Sequence, residues 1–138
     1  SGSAFNDNEL KMLAKWKIRE KVIHFYANEQ QMAQLYHDAL MLVVPSYYEG
    51  FGMPILEAMM YDCPVVLSNA SCFPEIAQDA GIYFDPYNSE EMSAQMELLI
   101  DNITIRNKQI TKGKERLNYF SWEKCAAEHM KAYKSIIN

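Results

Sequence analysis

The chain has 138 residues, 49% apolar and 22% charged, with 13 basic and 18 acidic side chains for a net charge of -5. That is enough for one globular domain with its own core, so neither disulfides nor a structural metal are needed to hold it. No apolar run approaches the length of about 20 residues that spans a bilayer, no basic-then-apolar signal opens the chain, and the net acidity speaks against a nucleic-acid partner.

Leu10, Leu13, Ala14 and Ile18 recur at helical spacing behind Asn6, Asp7 and Asn8, any of which can cap the first turn. Residues 22–27 predict a strand and residues 31–39 a short helix. The run 40–45 is continuously apolar and rich in valine, the pattern of a strand buried on both faces. Helix is predicted over 54–61, strand over 64–67, a short helix over 74–78 and strand over 81–84. Ser89 then caps a helix with Glu90 and Glu91 in its first turn and Met92, Met96, Leu99 and Ile103 on one face. Two more helices close the chain, the last from Ser121 with Trp122, Cys125, Ala126, His129, Met130, Tyr133 and Ile137 as its stripe. Strand starts near 22, 40, 64 and 81 with helices between them have the rhythm of right-handed βαβ crossovers, which predicts an α/β domain with a parallel sheet. Ser1-Gly2-Ser3 is either a tag remnant or the stump left where an earlier strand is missing.

Every lysine and arginine lies within residues 11–21 or 106–134, while residues 22–105 carry twelve acidic side chains and no cation. A ligand bound by this middle segment meets no side-chain cation belonging to it. Ligands of open parallel sheets bind outside the carboxyl ends of the strands. The turn after the 40–45 run reads Pro45-Ser46-Tyr47-Tyr48-Glu49-Gly50-Phe51-Gly52-Met53-Pro54-Ile55-Leu56-Glu57. Two glycines flank Phe51, and Pro54 suits the first position of a helix. Such a turn exposes backbone N–H groups beside a positive helix end and can hold a phosphate without lysine. Glu49 and Glu57 bracket it, and carboxylates accept hydrogen bonds from the hydroxyls of sugars.

The Glu49 to Glu57 stretch resembles the Glu-x7-Glu signature of retaining glycosyltransferases with the two-domain GT-B architecture, the group 1 or family four enzymes. Val44-Pro45-Ser46, Glu57-Ala58-Met59, Cys63-Pro64-Val65-Val66, Pro74-Glu75-Ile76, Ala80-Gly81 and Phe120-Ser121-Trp122-Glu123 resemble that family's C-terminal domain in its usual order. The resemblance implies a Rossmann-like parallel sheet with helices on both faces, residues 1–138 forming a single partial domain that binds a nucleoside-diphosphate sugar, of the UDP or GDP type. It implies Glu49 as the catalytic-side residue on the transferred sugar. It further implies Gly50, Phe51, Gly52, Met53 and Pro54 around sugar and diphosphate, Glu57 on the ribose, Tyr26 and Ala27 beside the base, and no cofactor or obligatory metal.

The family's Arg and Lys that clamp the diphosphate have no match, and Lys11, Lys15 and Lys17 look like a solvated helix face. The first strand or strands and the N-terminal acceptor-binding domain are therefore expected to be missing, and the fragment is expected to be inactive alone. A non-catalytic Rossmann-like module, or the equivalent domain of a glycan synthase or phosphorylase, is the alternative. Arg106, Lys108, Lys112, Lys114 and Arg116 read as the solvated face of a late helix, against peripheral contact of the intact enzyme with anionic lipid. Tyr47, Tyr48 and Phe51 suit either stacking on a ligand or anchoring of the loop. His24, His37 and His129 are too scattered for a metal site, and Cys63, Cys72 and Cys125 read as reduced, mostly buried thiols of a cytosolic protein, the intact enzyme standing at the inner face of the membrane or free of it.

Overall fold

In the computed structural model, which describes residues 5–137, Asn6 starts the first helix, α1 (Asp7–Lys15). Its side chain accepts the Asn8 and Glu9 amides at 3.0 Å each, and the Glu9 carboxylate accepts the Asn6 N–H at 2.7 Å, a reciprocal capping box. A short 3-10 turn follows at Arg19–Lys21. The predicted strand 22–27 does not form: the stretch is irregular, with Ile23, Phe25 and Tyr26 exposed. Local ring packing takes its place. His24 meets Phe5 and Tyr26 edge-on at 5.6 and 5.5 Å, and the Arg19 guanidinium lies 5.4 Å over Phe5. α2 (Glu29–Asp38) opens on a second reciprocal cap, between Asn28 and Gln31 at 2.9 and 3.0 Å.

The chain groups into two units, Ser1–Met32 and Ala33–Asn138. The second holds a parallel sheet of β1 (Leu42–Val44), β2 (Val65–Ser68) and β3 (Gly81–Phe84) in the order 1-2-3. Val43 pairs with Val66, and Val66 with Ile82. α3 (Met53–Met60) joins β1 to β2, and α4 (Phe73–Ala77) joins β2 to β3. The alternating rhythm predicted for residues 40–84 is thus realised. The most deeply buried strand is β2, however, and β1 is only half-buried. β2 has a strand on each side, whereas among the described residues β1 is paired with β2 alone, which leaves the valine-rich run 40–45 at an edge of the sheet.

Both sheet faces carry helices. Val66 and Phe84 pack with Leu99 of α5 (Ser89–Asp101), joined by Met92, Met96, Val43 and Ile82. On the other face the Tyr83 hydroxyl donates to the Gln78 carbonyl at 2.6 Å, and a Cβ on Gly81 would stand 3.2 Å from that of Ala77, so β3 lies close against the α4 region. α5 is capped by Asn88, one residue before the predicted Ser89, through bonds to the Glu90 and Glu91 amides. Asn102 caps α6 (Ile103–Leu117), which takes Ile103 away from the α5 stripe.

The basic residues of α6 are not a simple solvated face. Arg106 donates to the Leu99 carbonyl at 2.8 Å, at the end of α5. Lys112 pairs with Asp79 at 2.9 Å and Lys114 with Asp62 at 2.8 Å. Arg116 donates to the Ile76 and Glu75 carbonyls of α4 at 2.7 and 2.8 Å, its guanidinium 4.8 Å over Phe120. Cations at helix C-termini satisfy carbonyls left without partners and complement the dipole. α7 (Trp122–Ile137) departs from expectation in the opposite sense, since none of its described side chains is buried and Trp122 is 77% exposed. Of the cysteines only Cys63 is buried; Cys125 is exposed on α7.

Candidate functional site

The turn between β1 and α3 is built on Gly52, which caps α3 in the left-handed region at φ 84. Glycine adopts that conformation without steric cost, and a Cβ there would stand 3.0 Å from the Ile55 side chain. The Ile55 N–H bonds back to the Gly52 carbonyl at 2.9 Å. No side chain caps the helix and no acidic residue sits in its first turn. The amides of Phe51, Gly52 and Met53 donate to no acceptor among the described residues. This leaves the positive end of the α3 dipole without a capping side chain.

Glu57 lies just beyond the first turn of α3, half-buried. Its Oε2 accepts the Tyr36 hydroxyl at 3.2 Å. Tyr36 is 6% exposed and stacks parallel on Tyr61 with ring centroids 6.3 Å apart. Burial first, and then the Glu57 charge and hydrogen bond, push its hydroxyl up to about 12. Glu57, Phe51 and Met53 line a groove of about 850 Å³ whose opposite wall is supplied by Phe120, Trp122 and Lys124.

Glu49 sits in the exposed loop and does not line that groove. Ser46 Oγ donates to its carboxylate at 3.1 Å, and the Ser71 hydroxyl engages its backbone. The structure thus gathers Phe51, Met53 and Glu57, with Gly52 and Pro54 shaping the helix start, and carries Glu49 on the adjoining loop with Gly50 in open space. Tyr26 and Ala27 belong to the other unit. Two of the three candidate aromatics have ring partners, Tyr47 against Tyr87 at 5.0 Å and Phe51 edge-on to Phe120 at 6.1 Å; Tyr48 is 82% exposed.

Tyr36, Ser71 and Lys124 are absent from the sequence reading of this site. Tyr36 and Glu57 lie 21 positions apart on different helices, Ser71 and Glu49 22 apart on different loops. No periodicity links such pairs. Lys124 brings to the groove wall a cation from outside the cation-free segment, its Nζ held by the Asn118 carbonyl at 2.7 Å.

An α/β domain with a small parallel sheet flanked by helices, and a glycine turn between two carboxylates after its first strand, has the form of a GT-B glycosyltransferase domain. The profile of the family described as glycosyl transferases group 1 matches residues 2–116, and the chain belongs to that family. It is 36% identical over 132 residues to the O-antigen chain mannosyltransferase B of Escherichia coli, covering 94% of this chain and 35% of the relative. It is 29% identical over 133 residues to the MMP alpha-(1->4)-mannosyltransferase of Mycolicibacterium hassiacum, covering 92% and 32%. The chain therefore spans about a third of the length of these curated relatives. Among solved structures it superposes with TM-score 0.70 and 26% identity on the C-terminal domain of a glycosyl transferase group 1 family protein from Francisella tularensis, covering 81% of this chain and 60% of that one. Sucrose-phosphate synthase from Thermosynechococcus elongatus shares the fold with TM-score 0.78 at 23% identity, over 93% of this chain and 33% of that one.

Proposed function

We propose that this chain is the donor-binding, C-terminal part of a retaining glycosyltransferase that moves a sugar from a nucleoside diphosphate to an acceptor hydroxyl. The observation that carries this reading is the turn before α3, with unsatisfied amides at a helix N-terminus and a carboxylate on each side of it. Cleavage of the anomeric carbon–oxygen bond leaves positive charge on the sugar and negative charge on the departing diphosphate. The amides of Phe51, Gly52 and Met53 and the α3 dipole stabilise the diphosphate. Glu49 orients the sugar and supports its developing positive charge, and Glu57 accepts the ribose hydroxyls. Both curated relatives above are mannosyltransferases by name, so a mannose-bearing donor is the first to test.

The acceptor half and an Arg/Lys clamp on the diphosphate belong to the remainder of a longer enzyme, which works in the cytoplasm or at the inner face of the membrane. The 138 residues alone then bind donor weakly and turn over little. In the whole enzyme, Glu57→Ala should weaken GDP-mannose binding about tenfold, the loss of a charge-assisted hydrogen bond. Glu49→Ala should lower turnover more than binding. Calorimetry and initial rates check both; Glu57→Ala that binds donor like the parent, or Glu49→Ala with unchanged turnover, would reverse the assignment.

A further inference from the structure

Ser71 grips Glu49 in an uncommon way. Its Oγ accepts the Glu49 N–H at 3.1 Å and donates to the Glu49 carbonyl at 2.8 Å, so one hydroxyl closes on both polar groups of a single residue's backbone. Ser71 does this from φ 54, a left-handed conformation that glycine enters freely and serine does not. Two further serines brace the same loop. The fully buried Ser68 donates to the Ser46 carbonyl at 2.6 Å, and Ser46 Oγ donates to the Glu49 carboxylate at 3.1 Å. The loop after β2 thereby fixes the loop after β1 at the residue whose side chain is to meet the sugar.

We propose that Ser71 is a positioning residue for Glu49: its hydroxyl fixes the backbone from which the Glu49 carboxylate reaches the transferred sugar. A serine in the left-handed region is explained by that hydroxyl, since glycine would fit the backbone better. The inference rests on the reading of Glu49 given under the proposed function. Backbone strain at functional loops is tolerated where it pre-organises a reacting group.

The test uses the whole enzyme and calorimetry with GDP-mannose and UDP-glucose, each against its bare nucleoside diphosphate. The ratio of donor to diphosphate affinity isolates the contacts made to the sugar. Ser71→Gly, Ser71→Ala and Glu49→Ala should each lower that ratio about three- to tenfold, the range for one or two hydrogen bonds, with binding of the bare diphosphate unchanged. Ser71→Gly combined with Glu49→Ala should fall no further than Glu49→Ala alone. Ser71→Gly should also melt above Ser71→Ala, because it relieves the backbone that Ser71→Ala leaves strained. Equal losses of the ratio in two variants of unequal stability mark positioning as distinct from folding. A wild-type ratio in Ser71→Gly beside a lowered one in Glu49→Ala would overturn the role of Ser71 and leave that of Glu49 standing. Losses that track melting temperature would overturn it too. An unchanged ratio in Glu49→Ala, or no binding of either donor by the parent, would remove the reading of Glu49 and the role of Ser71 with it.

Discussion

Tyr36 shows how a single buried side chain ties the scaffold to the candidate site. Its ring belongs to the core through the stack on Tyr61, and its hydroxyl faces Glu57. Tyr36→Phe keeps the ring and deletes the bond to a carboxylate, so stability should fall by about 1–2 kcal/mol in urea denaturation. The sign of the pH dependence follows from the raised hydroxyl. With an ordinary value of 10.0 in the unfolded chain and about 12 in the folded one, the stability that Tyr36 contributes is fully present below pH 10 and is lost as pH rises through 12. Cys63, pushed to about 11 by burial, and Tyr83, pushed to about 12, act in the same direction. Denaturant titrations from pH 8 to about pH 12 should therefore slope downward for the parent and less steeply for Tyr36→Phe. Equal slopes would mean that the Tyr36 hydroxyl carries none of the alkaline dependence.

Among the helices, α6 has two tasks. It packs on α3, where Gly113 admits Met59 so closely that a Cβ would stand 3.1 Å from its Cγ, and it sends cations to the ends of other elements. Arg116 holds two carbonyls of α4 and stacks on Phe120, the ring that Phe51 meets edge-on. Arg116→Ala should cost about 1.5–3 kcal/mol, the range for hydrogen bonds to a charged group, and Arg116→Lys should recover only part of it, since an ammonium cannot span both carbonyls and stack as well. Thermal melts of the two variants against the parent decide this.

The elements that local chemistry determines are legible in the sequence. A cap within Asn6 to Asn8, the Gly-Phe-Gly-Met-Pro turn and the strand 81–84 each follow from residues within a few positions of one another. Residues 22–27 are not legible, because their β-type composition has no ladder to join among the described residues and their rings cluster locally instead. The α6 cations and the α7 stripe fail for one reason. A helical pattern gives the face of a helix but not what lies opposite it. At the site, the Glu-x7-Glu stretch is visible as a run of residues, whereas Tyr36 and Ser71 act through contacts more than twenty positions away.

At the scale of the whole molecule, the charge map gains a physical meaning. Residues 22–105 hold twelve acidic groups and no cation, and α6 supplies cations to helix ends and acidic loops, which leaves the turn before α3 to attract anions with its own dipoles and the single cation of Lys124 on the groove wall. Dipole fields decay faster with distance than the field of a net charge. On the function proposed above, a donor diphosphate approaching this chain is therefore repelled at long range by its net charge of -5 and held only on contact. Capture is then governed by ionic strength in the unusual sense. In stopped-flow mixing of the 138-residue chain with GDP-mannose, the association rate should rise as salt screens the repulsion, by about twofold or more between roughly 10 and 150 mM, where the screening length shortens from about 30 to 8 Å. A falling rate would reveal an attractive field that the turn and its carboxylates do not supply. The Gly52 turn would thus retain its ligand without helping to summon it, and the speed of encounter in the whole enzyme would be set by whatever cations the rest of the protein adds.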